Sequence, residues 1–286
     1  MLEIAPGVFV ETRFRRVNVG AILTDDGFVL IDTPPYPDDA DQWRATLATI
    51  SDKPILAIVN TDAHPDRVLG NEWLPSRVVV AHEETIKALS NAPQAFVENA
   101  VNDLAQHNFE RRHFADARLR LPSVGFTRRM QIRYGGRTTP LLSMPGPMFG
   151  STWVHLPEAR VVFVGDSVLA NRHPLLADAC SKSWLENLTL LRRARFAADV
   201  IVPGRGSLVD KSATVPVSEY LRLARRRVHS LYRAGRPRAD TVTLVPELLE
   251  MFPYHPDEAE DLQRRIKWGL DRIYEEFKAD DKSEVL

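Results

Sequence analysis

The sequence predicts an α/β fold, and three features carry that prediction. Short strand-like runs rich in Val, Ile and Leu alternate with helix-like runs over most of the chain. One run, ILAIVNT, is continuously apolar, as strands buried on both faces are. The order of strands followed by a helix occurs twice, so the chain reads as two related halves followed by helices.

The elements follow in order. GVFVET, VGAILTD and GFVLID read as strands, and Asp25-Asp26-Gly27 supplies a hairpin turn between the last two. DDADQWRATLATI is helical, with Asp38 and Asp39 favouring its N-terminal end through capping and the helix dipole. After ILAIVNT come a strand, RVVVAH, a helix, EETIKALSNA, and a mixed, charged segment from about 93 to 120 expected to be helical in part. MQIRYGG, TPLLSMPG, TWVHLPE and RVVFVGDSV form the second set of strands; WLENLTLLRRARF is helical and DVIVPGRG is a strand ending in a Gly-rich turn. Val217, Leu221, Ala224, Val228 and Leu231 recur at helical spacing, as do Leu262, Ile266, Leu270, Ile273 and Phe277. These stripes predict core-facing helices.

The 286 residues, 44% of them hydrophobic, can bury a substantial core. One domain over 1–286 is expected, with a motif-bearing core at about 5–210 and a helical part at about 216–280. A formal net charge of -1 provides no field that draws the protein to nucleic acid or an acidic membrane. Arg225, Arg226 and Arg227 lack an aromatic platform and read as a solvated helix face. The one cysteine, Cys180, cannot form an internal disulfide, and the first residues lack a signal peptide's basic and long apolar regions. A cytoplasmic protein is the expectation, with a small-molecule ligand or a protein partner and a possible homodimer through the C-terminal helices.

The stretches VGAILTDDGFVLIDTP, NTDAHPDRVLGN, SMPGPMFGSTWVHLPEARVVFVGDSV and DVIVPGRGS occur in an order and spacing that resemble the metallo-β-lactamase superfamily. The resemblance covers about residues 5 to 210 and implies a four-layer αββα sandwich whose edge loops hold a dinuclear metal site. In that family the first motif is H-x-H-x-D-H; here its positions are Asp62, His64, Asp66 and Arg67. The histidine expected after Pro145-Gly146 is Pro147, the aspartate after Gly165 is Asp166, and the last histidine position, in Pro203-Gly204-Arg205-Gly206, is Arg205.

The departures from the pattern are uneven. By the resemblance, Asp62, His64 and Pro147 occupy the positions of one metal site, Asp66, Arg67 and Arg205 those of the other, and Asp166 that of the bridge. A guanidinium stays protonated and has no lone pair to offer a metal, so the second site is expected to be dead. Asp62, His64 and Asp166 can still present two oxygens and a nitrogen to one ion. No cofactor is the leading expectation, and one divalent ion, zinc, manganese or iron, is the alternative.

Arg67 and Arg205 are expected to pair with Asp66 and Asp166 in place of the second metal. Three function classes follow. The first is a metal-free pseudo-hydrolase or ligand-binding protein, in which the usual dinuclear hydrolase activity is absent or very low. The second is a mononuclear hydrolase of the ester, thioester or lactone class, using Asp62, His64 and Asp166. The third is a metal-independent enzyme in which Arg67 and Arg205 hold an anionic substrate and His64 acts as base. His64 and Asp66 are the catalytic candidates, and Arg67, Arg205, Tyr36 and Phe149 the substrate-binding ones. Trp184 is a further pocket candidate whose ordinary role is packing, and His173 reads as a surface or hydrogen-bonded histidine. Ser151 has no Ser-His-Asp order around it.

Overall fold

Two β-sheets hold the motif loops. The computed structural model describes residues 1–105 and 111–284, with side chains to 282. By its contacts the chain divides into two compact units, the first comprising Met1–Ser143, Gly150–Gly165 and Ala197–Leu208, the second Met144–Phe149, Asp166–Phe196 and Val209–Leu286.

The first unit contains both sheets. One has seven strands in chain order: β1 (Leu2–Ala5), β2 (Val8–Glu11), β3 (Val19–Leu23), β4 (Phe28–Ile31), β5 (Ile55–Val59), β6 (Ser76–His82) and β7 (Val124–Phe126). The predicted hairpin is present: β3 and β4 pair antiparallel from Gly20 opposite Ile31 to Leu23 opposite Phe28. From β4 to β7 the pairing is parallel, as the continuously buried β5 requires. The second sheet runs in the order β12 (Val200–Pro203), β11 (Val161–Gly165), β10 (Thr152–Leu156), β9 (Arg137–Ser143) and β8 (Arg129–Tyr134). The sequence reading omitted β1 and β7: β1 has no buried residue, and β7, although it buries Phe126, is too short to show a period.

The two sheets pack face to face. Val10, Ile22, Val29, Ile31, Val59 and Val80 from one share a core with Leu141, Val154, Val161, Phe163 and Val202 from the other. The outer face of the seven-stranded sheet is covered by α1 (Pro37–Ala48), which buries Ala40, Trp43 and Leu47 at helical spacing. Fully burying a side chain such as Leu47 stabilises by roughly 1.5–3 kcal/mol, so this face is what fixes α1. The motif helix α2 (Pro65–Val68), α3 (Glu83–Ser90) and α4 (Pro93–Leu104) are further helices of this unit among the described residues. Part of the mixed segment anticipated at 93–120 is thus helical, and its residues 106–110 lie outside those described.

The second unit is helical. It comprises α5 (Ser181–Arg192), α6 (Thr214–Arg233), α7 (Val245–Leu249) and α8 (Ala259–Glu284), with α6 packed on both α5 and α8. The predicted stripes face inward: Val217, Leu221, Ala224 and Val228 on α6, and Ile266, Leu270 and Ile273 on α8, are buried. Arg225 departs from the solvated face expected of it. Its guanidinium bonds Glu276 at 2.8 Å and Ser181 Oγ at 2.6 Å and covers the Phe277 ring, because α6 turns this position toward α8. Among the described residues, no helix is long and apolar enough to cross a membrane.

Candidate functional site

β5 delivers the first motif. Its five buried residues end at Val59, and the chain leaves the sheet through Asn60 and Thr61. Pro65 then opens α2 at its first position, where a missing N–H costs nothing and the fixed φ suits a helix. The same proline holds His64 extended, at φ -64° and ψ 139°. Asp66 and Arg67 therefore sit in the first turn of α2, and His64 just ahead of it.

Two buried frames hold this loop. Asp32, just past β4 and in the left-handed region at φ 57°, accepts from both the backbone N–H and the hydroxyl of Thr61 at 2.7 Å. Asn60 and Asn71 exchange amide bonds at 3.1 and 2.9 Å, and Asn60 also donates to the Arg67 carbonyl at 3.0 Å. The Thr33 hydroxyl donates to that same carbonyl at 2.8 Å. The sequence reading passed over Asp32, Asn60 and Asn71 as site residues. The available signal was polar residues directly after buried strands, where burial obliges each to find a partner.

Within the loop, Asp62 is the hub. Its Oδ1 accepts from the His64 backbone N–H at 2.9 Å and lies 3.0 Å from His64 Nδ1. Its Oδ2 accepts from Arg67 Nε at 3.1 Å. The Arg67 side chain is 0% exposed, and its Nη1 lies 4.0 Å from Asp66 Oδ1. Arg67 thus pairs with Asp66, as expected, and also with Asp62, which stands nearer and was not anticipated as its partner. Asp62 lies ahead of α2 and accepts from the arginine five residues on. Arg205, carried by the turn after β12, places Nη2 3.0 Å from Asp66 Oδ2, as anticipated.

These charges shift one another. Burial works to raise the Asp62 pKa, but the Arg67 charge and the interactions with His64 outweigh it and hold the carboxyl below the usual range. For Asp32 burial prevails: it pushes the carboxyl up to about 7 against the Arg67 charge, with the Asp62 carboxylate adding to the rise.

Gly165 ends β11 in the left-handed region at φ 54°, and a Cβ there would stand 2.9 Å from Thr61 Oγ1 and 3.7 Å from Asp62 Oδ2. Only glycine allows that approach. Asp166 follows directly and is buried. Among the described residues, one donor atom from each of Asp62, His64 and Asp166 lies within 4.8 Å of the others. This set fits a single divalent ion in donor type, two carboxylates and an imidazole. The guanidiniums of Arg67 and Arg205 stand on Asp62 and Asp66, and a guanidinium has no lone pair to offer a metal.

The other candidates are spread over the structure. Tyr36 is buried, its ring under Arg15 at 3.6 Å and its hydroxyl donating to the Leu104 carbonyl at 3.0 Å, which is a packing role. Phe149 is 52% exposed, with Arg272 over its ring at 5.2 Å. Trp184 is a core residue of the second unit, donating from Nε1 to the Ser167 carbonyl at 2.9 Å. His173 is no surface residue: it is buried among Tyr220, Phe252 and Tyr254, and burial lowers its pKa. Ser151 is buried. Cys180 is buried as well, and burial, with the Glu276 charge adding, pushes its thiol up to about 12, which makes it unreactive.

The comparisons with known proteins agree with this architecture. A linear primary-alkylsulfatase from Pseudomonas sp. (strain ATCC 19151) is 25% identical over 240 residues, which span 71% of this chain and 44% of that protein. The inverting sec-alkylsulfatase Pisa1 from Pseudomonas sp. superposes with a TM-score of 0.71 at 16% identity, over 96% of this chain and 50% of that one. This chain thus spans about half the length of the alkylsulfatases it matches. A metallo-beta-lactamase family protein from Thermus thermophilus superposes with a TM-score of 0.67 at 18% identity, over 98% of this chain and 95% of that one. At these identities the structural matches speak for the fold. The family model of the metallo-beta-lactamase superfamily matches residues 12–205, from the β2–β3 connection to the arginine of the last motif turn, and the chain belongs to that superfamily.

Proposed function

We propose that this chain is a member of a hydrolase superfamily that works without the dinuclear metal centre, as a pseudo-hydrolase that binds a small anionic ligand. The observation that carries the reading is Arg67, fully buried with its Nε 3.1 Å from Asp62 Oδ2. Burying carboxylates without a counter-charge costs several kcal/mol each. In the family the resemblance assigns that compensation to metal ions, and here a guanidinium on each of Asp62 and Asp66 supplies it. Without a metal to lower the pKa of a bound water, the hydroxide nucleophile of that chemistry is missing.

The ligand class follows from a solvent-accessible cation of the site. Arg205 keeps 23% of its side chain exposed, and a planar guanidinium matches an oxyanion's geometry. The relatives that act on alkyl sulfates suggest an organic sulfate or a similar oxyanion as the ligand. A protein partner at the same face and a homodimer are compatible with this reading.

A second reading is favoured by the convergence of Asp62, His64 and Asp166. In it these residues hold one divalent ion, which when bound supplies Lewis-acid activation of water. Elemental analysis of the purified chain, expressed with zinc, manganese and iron available, separates the two. The first reading expects well below one equivalent; one stoichiometric ion moves the protein to the second, and two overturn both. Thermal-shift titrations with inorganic sulfate and a short alkyl sulfate test the ligand class. No shift with either probe overturns the anion assignment.

A further inference from the structure

Arg205 is presented by a four-residue turn, Pro203-Gly204-Arg205-Gly206, and that turn is held from outside every motif. Asn18, buried between β2 and β3, directs three donors at three of its carbonyls. Its backbone N–H donates to the Gly204 carbonyl at 2.8 Å, and its Nδ2 donates to those of Pro203 at 2.9 Å and Gly206 at 2.7 Å. The backbone N–H of Gly204 in turn donates to the Gly165 carbonyl at 2.7 Å, which ties the turn to the end of β11. Asn18 thus grips one side of the turn and β11 the other.

The segment that carries Asn18 is itself anchored. Arg16, in the left-handed region at φ 70°, bonds the Asp103 carboxylate at 2.5 Å and its carbonyl at 2.8 Å. Arg15 pairs with Asp39 at 3.2 Å. A non-glycine residue held at positive φ needs surroundings that over-determine it, and the two bonds to Asp103 provide them.

We propose that Asn18 is the positioning residue for Arg205: it sets the turn so that the guanidinium meets Asp66, and it touches neither the ligand nor the carboxylate itself. The proposal rests on the reading that Arg205 is a functional cation of this site. Losing the Asn18 amide leaves two carbonyls without that donor and leaves the turn held on this side by the single backbone bond to Gly204. The Arg205–Asp66 pair then has no fixed geometry to form in.

The test is a double-mutant cycle of R205A and D66A on the full chain, read by denaturant unfolding and run in the wild-type and N18A backgrounds. The expected coupling with Asn18 present is a factor of about five in the unfolding equilibrium constant, and it shrinks to under about twofold in N18A. N18S keeps one donor and is expected to give an intermediate factor; it replaces N18A if that variant does not fold. The Arg227–Glu247 pair in the second unit serves as control and is expected to keep its coupling in all backgrounds. An undiminished Arg205–Asp66 factor, a wild-type factor near one, or an equal loss at Arg227–Glu247 overturns the proposal. Metal content measured on the same wild-type preparation fails or supports the metal-free reading separately, whatever the cycle returns.

Discussion

Arg67 and Arg205 stand at two equivalent departures from one motif pattern, yet their surroundings differ. Arg67 is 0% exposed against an Asp62 side chain that is 2% exposed, whereas Arg205 is 23% exposed against an Asp66 at 10%. Arg13, just past the end of β2, extends the series: it is 75% exposed and pairs with a Glu11 that is 5% exposed. The same guanidinium–carboxylate chemistry thus occurs at three degrees of desolvation. The weight of each pair follows from how much water the partners have lost, since a stranded buried ion has no solvent to turn to. Arg67 is the fully desolvated cation of the two, and Arg205 the one that keeps some contact with water.

The largest change that tests this contrast is a gain of metal. R67H/R205H puts imidazoles in place of both guanidiniums around Asp66, and elemental analysis is expected to find one added equivalent of zinc. No uptake would mean that something other than the arginines excludes metal. Next in size, R67A leaves Asp62 buried without its cation and is expected to cost roughly 3–5 kcal/mol in denaturant unfolding. A loss below about 1 kcal/mol would remove the distinction between the two arginines.

R205A is expected to cost only about 1 kcal/mol, because water reaches that pair, and to abolish the thermal shift produced by inorganic sulfate. An R205A protein that still responds to sulfate would place the anion elsewhere. Arg13 gives the smallest effect and a pH signature. Its hydrogen bonds, against the opposing pull of burial, hold the Glu11 carboxyl down at about 2 from 4.5. A depressed folded pKa means the contribution is present above 4.5 and is lost as pH falls toward 2. Wild type and R13A should therefore differ slightly in melting temperature at neutral pH and converge near pH 2; a gap that widens on acidification contradicts this.

Much of the fold was legible because its signals are local. The β3–β4 hairpin followed from Asp25-Asp26-Gly27, and the buried parallel strand β5 from the unbroken run ILAIV. Helices α6 and α8 showed their inward stripes at helical spacing. Strand β7, with Phe126 buried but too short to show a period, was not legible. In the candidate site the motif positions were readable, but not the pairing of Arg67 with Asp62. That contact depends on how the loop ahead of α2 places Asp62 beside the arginine.

By itself the sequence determined the α/β class, the order of the motifs and the two guanidiniums standing where metal ligands are expected. Those are properties of residue type and spacing along the chain. The tertiary structure alone decided that Arg67 loses all its solvent while Arg205 keeps some, that Asp32 braces Thr61, and that His173 is enclosed by aromatic rings. It also decided that Asn18, 185 residues before Pro203, grips the turn that presents Arg205. The physical reason is common to all four. Desolvation and hydrogen-bond geometry are set by what other segments bring alongside, and no local pattern encodes a neighbour that arrives from a distant strand.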